Sequence, residues 1–122
     1  MARKPGLDEG NLPEAAFFIL LAVRNTRHGY SIMQHLEERS GGLVTIGPAS
    51  LYTTLKKLAD AELIEEVDSS NNRRSYRMTA KGMEVATKNV ERRRQLVAAA
   101  EKLLNEEIGE DNGQALERGS RF

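Results

Sequence analysis

Residues 47–58 read Gly-Pro-Ala-Ser-Leu-Tyr-Thr-Thr-Leu-Lys-Lys-Leu, a stretch that suits an amphipathic helix with one narrow apolar stripe. At 100° per residue Leu51, Leu55 and Leu58 fall within about 60° of one another, while Ala49, Ser50, Thr53, Lys56, Lys57 and Asp60 occupy the opposite face. Pro48 supplies the fixed φ of a first turn, so the helix opens at Gly47 and Pro48 and continues to about residue 61. It carries no acid before Asp60. Taken alone, this helix is equally an ordinary solvated surface helix or one whose small residues, hydroxyls and lysines approach a nucleic-acid groove.

Its neighbours distinguish the two. Two short extended runs follow, residues 63–67 and 75–78, separated by Asp68, Ser69, Ser70, Asn71, Asn72, Arg73 and Arg74. Serine and asparagine favour a turn, so these runs form a hairpin whose tip bears arginines. Arg73, Arg74, Arg77 and Lys81 lie within residues 71–82, which contain no acid. The competing reading of Arg73 and Arg74 is a solvated turn paired with Glu65 or Glu66. Upstream, Asn11, Pro13 and Glu14 mark a helix start, with Asn11 as cap and Glu14 complementing the helix dipole, and the helix runs to about Arg24. Residues 15–23 are apolar on every side, so this helix is buried on more than one face, one of them against a partner subunit. A second helix spans about residues 30–39, with Ile32, Met33 and Leu36 facing inward, and ends at Ser40, Gly41 and Gly42. Leu43, Val44, Thr45 and Ile46 are expected to form a short strand. The order is three short helices and then a basic hairpin. It predicts a mainly α fold with a small β-hairpin (α+β), a winged helix-turn-helix domain whose third helix enters a major groove beside a backbone-touching wing.

A last helix is expected over residues 80–108, capped by Thr79, with Met78 and Met83 at the spacing of a hydrophobic staple. Met83, Val90, Val97 and Leu104 recur every seven residues, and Ala100 shares their face, as on a helix that packs against a second chain. Arg93 interrupts this seam; it either pairs with an acid or carbonyl there or lies at the rim with its head in water.

Composition sets the outer limits. With 122 residues, 39% apolar and 5% aromatic, the chain forms one small aliphatic core, and a homodimer is the natural way to enlarge it. The absence of cysteine excludes disulfides and thiolate metal sites, and a reducing cytoplasm fits. The longest apolar run is nine residues, so neither a secretion signal nor a membrane span is expected. The formal net charge is zero, but residues 1–98 hold 15 basic and 12 acidic side chains and residues 99–122 hold 3 and 6, so local field matters more than the total. His28 and His35 are the only histidines, seven apart without a matching carboxylate pattern, which argues against catalysis, a metal site or any cofactor. His28, Gly29 and Tyr30 instead read as a turn into the second helix that could hold a phosphate. Tyr30 is either part of that contact or a core residue. Tyr52, flanking the leucine stripe, either packs or bonds a phosphate through its hydroxyl.

The chain resembles the PadR-like family of winged helix transcriptional regulators over about residues 11–108. The resemblance rests on residues 16–21 followed by Arg27, His28, Gly29, Tyr30, Ser31 and Ile32, then residues 47–58 and 62–65, and finally residues 73–82 with Tyr76, Thr79, Lys81 and Gly82. It implies a homodimer bound to palindromic promoter DNA, usually as a repressor, joined through the C-terminal and first helices. The expected DNA-binding residues are then Ala49, Ser50, Thr53, Lys56, Lys57, Asn72, Arg73, Arg74, His28 and Tyr30. The expected dimer interface is Phe17, Phe18, Leu21, Val90, Val97, Ala100 and Leu104. Some relatives with a single long final helix bind flat aromatic molecules against a tryptophan. This chain has none, so any effector pocket would rest on Phe17, Phe18 and aliphatics, with the effector unidentified. The glycine usual near Ala61 and Glu62 is also missing, which affects how the third helix ends. Four segments are therefore expected: a flexible arm over 1–10, a winged domain over 11–79, a dimerisation helix over 80–108 and a disordered tail over 109–122. The alternative function is a winged protein-interaction module that never touches DNA.

Overall fold

The computed structural model describes residues 6–67 and 73–107. Its elements are α1 (Glu14–Ala22), β1 (Arg27–His28), α2 (Gly29–Arg39), α3 (Pro48–Asp60), β2 (Ile64–Val67), β3 (Ser75–Met78) and α4 (Ala80–Leu104). The chain divides into two units after Val90, inside α4. Ile108 and the expected tail lie outside the described residues.

The first unit is built on the leucine stripe of α3. Leu51, Leu55 and Leu58 are buried with Phe17, Ile19 and Leu20 of α1 and Ile32 and Leu36 of α2, so three amphipathic or apolar faces close one aliphatic core. The sheet has the order β1-β3-β2, all antiparallel, with Ile64 opposite Met78 and Val67 opposite Ser75 in the hairpin. Its third strand corrects an expectation. The strand predicted at Leu43, Val44, Thr45 and Ile46 is irregular chain, and Arg27 and His28 pair instead with Tyr76 and Ser75. The cause is access to a ladder: β3 has a free edge beside residues 27–28, whereas Val44 is buried and its amide donates to Ser40 Oγ at 2.9 Å. Leu43, next to it, points into solvent.

The helix ends also differ from expectation. α1 is capped by the backbone of Pro13 with no side-chain bond, and Asn11 is used elsewhere, its amide donating to the Asp8 carbonyl. α1 stops at Ala22, before Arg24, and Met78 N–H donates to the Val23 carbonyl, fastening the helix end to β3. α3 closes with Leu63 N–H on the Leu58 carbonyl and Glu62 N–H on the Ala59 carbonyl, the paired bonds of a Schellman ending. That ending needs a left-handed residue after the cap, and here Glu62 takes it with φ 64. The missing glycine therefore has a structural consequence. At the start of α4, Thr79 Oγ1 accepts from Gly82 N–H at 2.9 Å and donates to the Glu62 carbonyl at 2.8 Å, which joins the cap of one helix to the end of another.

Two small residues of α4 set its seat on the first unit. A Cβ on Gly82 would collide with the Leu63 carbonyl oxygen and press on Met78 Cγ. Asn89 is fully buried; its Oδ1 accepts from Leu12 N–H at 2.9 Å and its Nδ2 donates to the carbonyls of Glu9 and Val85. The segment before α1 is thus tied to α4, and Leu7 packs on the core, so the last residues of the expected loose arm have definite partners. The buried face of α4 within this unit is Gly82, Val85, Ala86 and Asn89, one step round from the seven-residue repeat. In the second unit Leu96, Val97, Leu103 and Leu104 of the same helix are exposed, Val97 by 56%.

Candidate nucleic-acid interface

Because the leucine stripe turns one side of α3 inward, Ala49, Ser50, Tyr52, Thr53, Lys56, Lys57 and Asp60 are left on its outer side, and all are exposed. The first turn of α3 has no acid and no side-chain cap bond, so its outer surface presents small residues and amides near the N-terminus. Lys56 is in a weak i,i+4 pair with Asp60 at 3.4 Å, both highly exposed, while Lys57 forms no ion pair among the described residues. An exposed pair of this kind contributes little and exchanges readily for another anion.

The wing descends beside this helix. Arg73 and Arg74 precede β3, and both are exposed. Arg74 Nε lies 3.5 Å from Glu66 Oε2, and Arg77 contacts Glu65 Oε2 through Nε at 3.1 Å and Nη2 at 2.9 Å. The competing expectation of an arginine paired with a hairpin glutamate therefore holds for Arg74. The physical reason is antiparallel register: Glu65 faces Arg77 and Glu66 faces Tyr76, so acids on β2 come within reach of basic residues along β3. Arg73 has no ion pair among the described residues, and Asn72 lies outside them.

The turn into α2 is more committed than expected. His28 belongs to β1, and its Nδ1 shares a 2.8 Å hydrogen bond with Ser75 Oγ. Gly29 N–H donates to the Arg74 carbonyl at 3.2 Å, which removes one of the amides expected to hold a phosphate. Tyr30 is 69% exposed, so the core reading of this residue is wrong: at the second position of α2 it projects away from the face carrying Ile32 and Leu36. Tyr52 also departs from packing alone, being 49% exposed.

His28, Gly29, Tyr30, Tyr52, Arg73 and Arg74 line one open cleft of about 550 Å³. Three separate stretches of sequence thus meet: the start of α2, the outer side of α3 and the base of the wing. Tyr52, like Tyr30, was left undecided by the sequence, since a position 100° from Leu51 on the helix is compatible with either side of the boundary. The expected interface between subunits is placed less uniformly. Phe17 is 3% exposed and is a member of this chain's own core cluster. Phe18 and Leu21 are partly buried against that core, while Val90, Val97, Ala100 and Leu104 are exposed. Arg93 is half-buried. Among the described residues no group of three or more His, Asp or Glu could hold a metal ion, and no helix is long and apolar enough to cross a membrane.

Helices α1 to α3 followed by the β2–β3 hairpin define a winged helix domain. The model of the transcriptional regulator PadR-like family matches residues 19–88, more than half of the chain, and the protein belongs to that family. Among solved structures, a PadR family transcriptional regulator from Eggerthella lenta is 22% identical, with 75% of this chain and 82% of that one aligned at a TM-score of 0.66. A PadR-like regulator from Bacillus cereus is 21% identical over 76% of this chain and 93% of that one, with a TM-score of 0.64. Bacillus subtilis PadR in complex with operator DNA is 22% identical over 62% of this chain and 46% of that one, at a TM-score of 0.54. No curated protein matches the chain.

Proposed function

We propose that this protein is a dimeric DNA-binding transcriptional regulator that represses from a palindromic operator, with α3 in the major groove and the wing on the backbone. The observation that carries the reading is the meeting of Tyr52 of α3, a helix whose first turn has no acid, with Arg73 and Arg74 in one cleft of a winged helix domain. Ala49, Ser50 and Thr53 are the groove residues, and Lys56, Lys57, Asn72, Arg73, Arg74, His28 and Tyr30 attend to the backbone. The operator-bound Bacillus subtilis PadR supports DNA as the partner. The exposed repeat of Val90, Val97 and Leu104 supports the second chain, because exposed apolar side chains repeating every seven residues form a coiled-coil seam. Phe18 and Leu21 are the residues of α1 proposed to extend that interface. A cytoplasmic location follows from this role, and a small-molecule effector, if one acts, is of unidentified chemistry.

The test is an electrophoretic shift of duplex from the region upstream of the gene, set against a scrambled duplex. The expected result is retention of the upstream duplex at protein concentrations that leave the scrambled one free. Absence of any retained duplex would favour a winged module that recognises another protein.

A further inference from the structure

We propose that the cleft between α2, α3 and the wing is a seat for one backbone phosphate of duplex DNA, with the Tyr52 hydroxyl as a hydrogen-bond donor and Gly29 as the residue that positions it. This rests on the reading of the protein as a DNA binder and assigns to Tyr52 a contact outside the groove-reading set. The hydroxyl makes no hydrogen bond to any described residue, although the ring is half covered. What covers it is backbone: a Cβ on Gly29 would lie 3.1 Å from Tyr52 Cε1 and 3.3 Å from its hydroxyl oxygen, with Tyr76 Cε2 at 3.5 Å. The bare Cα of Gly29 therefore lets the phenol ring lie against the start of α2. Gly29 N–H itself donates to the Arg74 carbonyl, so the helix start on which the ring lies is bonded to the base of the wing.

The charge in the cleft selects the occupant. Arg73 and Arg74 line it, and among the described residues no carboxylate does, Glu66 reaching Arg74 from outside the lining. A phosphodiester brings one negative charge and two acceptor oxygens, which a phenol and a guanidinium can satisfy together. The cleft lies where α3, the start of α2 and the base of the wing meet, so a helix lying in a major groove would bring the flanking strand to it.

The experiment uses the full chain and measures affinity by fluorescence anisotropy for the upstream duplex and for a scrambled duplex over a salt series. Tyr52→Phe is expected to weaken both by about the same factor, on the order of tenfold, because a donor to a charged oxygen is lost without regard to sequence. The salt slope should stay unchanged, since no charge is removed, whereas Arg73→Ala should reduce it by about one. Gly29→Ala should produce a loss similar to that of Tyr52→Phe, and the double variant no further loss, with thermal melting confirming that each variant is folded. Unchanged affinity in Tyr52→Phe, or a loss confined to the upstream duplex, would overturn the phosphate seat while leaving DNA binding intact. Failure of the unaltered protein to bind either duplex would instead overturn the functional reading itself.

Discussion

At the scale of single residues, the clearest departure from an ideal sequence is Glu62. A side chain in the left-handed region costs roughly 1–2 kcal/mol relative to glycine, partly offset by the greater freedom glycine has when unfolded. Glu62→Gly is therefore expected to stabilise the protein by about 1 kcal/mol, read as a higher urea midpoint at unchanged slope. The unusual absence of glycine there was legible in the sequence; that a glutamate would simply take up the strained backbone was not, because the Leu63 to Leu58 bond that enforces it depends on where β2 begins. Asn89 was invisible for a related reason. Two of its partners are the backbone of Glu9 and Leu12, 80 and 77 positions away, and no local pattern announces such a contact. Asn89→Ala leaves the Leu12 amide without its acceptor in a buried place and should cost about 2–3 kcal/mol in chemical denaturation. At His35, burial first and then Arg27 and Arg39 lower the pKa below its ordinary value, against the smaller opposite pull of Glu38. The unfolded chain then protonates first as pH falls, so this contribution to stability is full above pH about 6.5 and is lost on acidification below it. Accordingly, His35→Gln should lose less melting temperature than the unaltered protein between pH 7.5 and 5.5.

At the scale of elements, periodicity located α2 and α3 because each has a one-sided burial pattern, whereas the hairpin was marked by the Ser and Asn between its two extended runs, since neither strand alternates buried and exposed positions. β1 has only two residues, too few for any pattern, and exists because β3 offered an open edge. The wing illustrates how a charged element divides its forces. Glu65 and Glu66 on β2 hold Arg77 and Arg74 at the surface, so part of the positive field is already neutralised before any ligand arrives. Glu66→Gln should accordingly tighten binding to all duplexes several-fold at low salt, and Arg74→Ala should weaken it without sequence preference. Ser50→Ala and Thr53→Ala on α3 are expected to alter the ranking among related duplexes instead. A uniform loss from all of these changes would remove the distinction between a reading helix and a positioning wing.

At the scale of the whole molecule, the seven-residue repeat in α4 was legible because apolar residues at that spacing stay on one side of a helix over many turns. Its consequence inside one chain was less so. The first unit uses Gly82, Val85, Ala86 and Asn89, which leaves Val90 uncovered, and in the second unit Val97 and Leu104 are uncovered too. The proposed dimer would cover this row, and Val97→Glu, which places a charge in it, should then convert dimers to monomers in sedimentation while preserving helical content. An unchanged mass would mean that the interface lies elsewhere. Binding of duplex DNA by the outer face of α3 and the wing is open to one decisive measurement, the salt dependence of affinity for the upstream duplex. Log affinity should fall linearly with log salt, more steeply than for Arg73→Ala, together with preference over scrambled sequence. Affinity that is absent, or indifferent to salt, would contradict it.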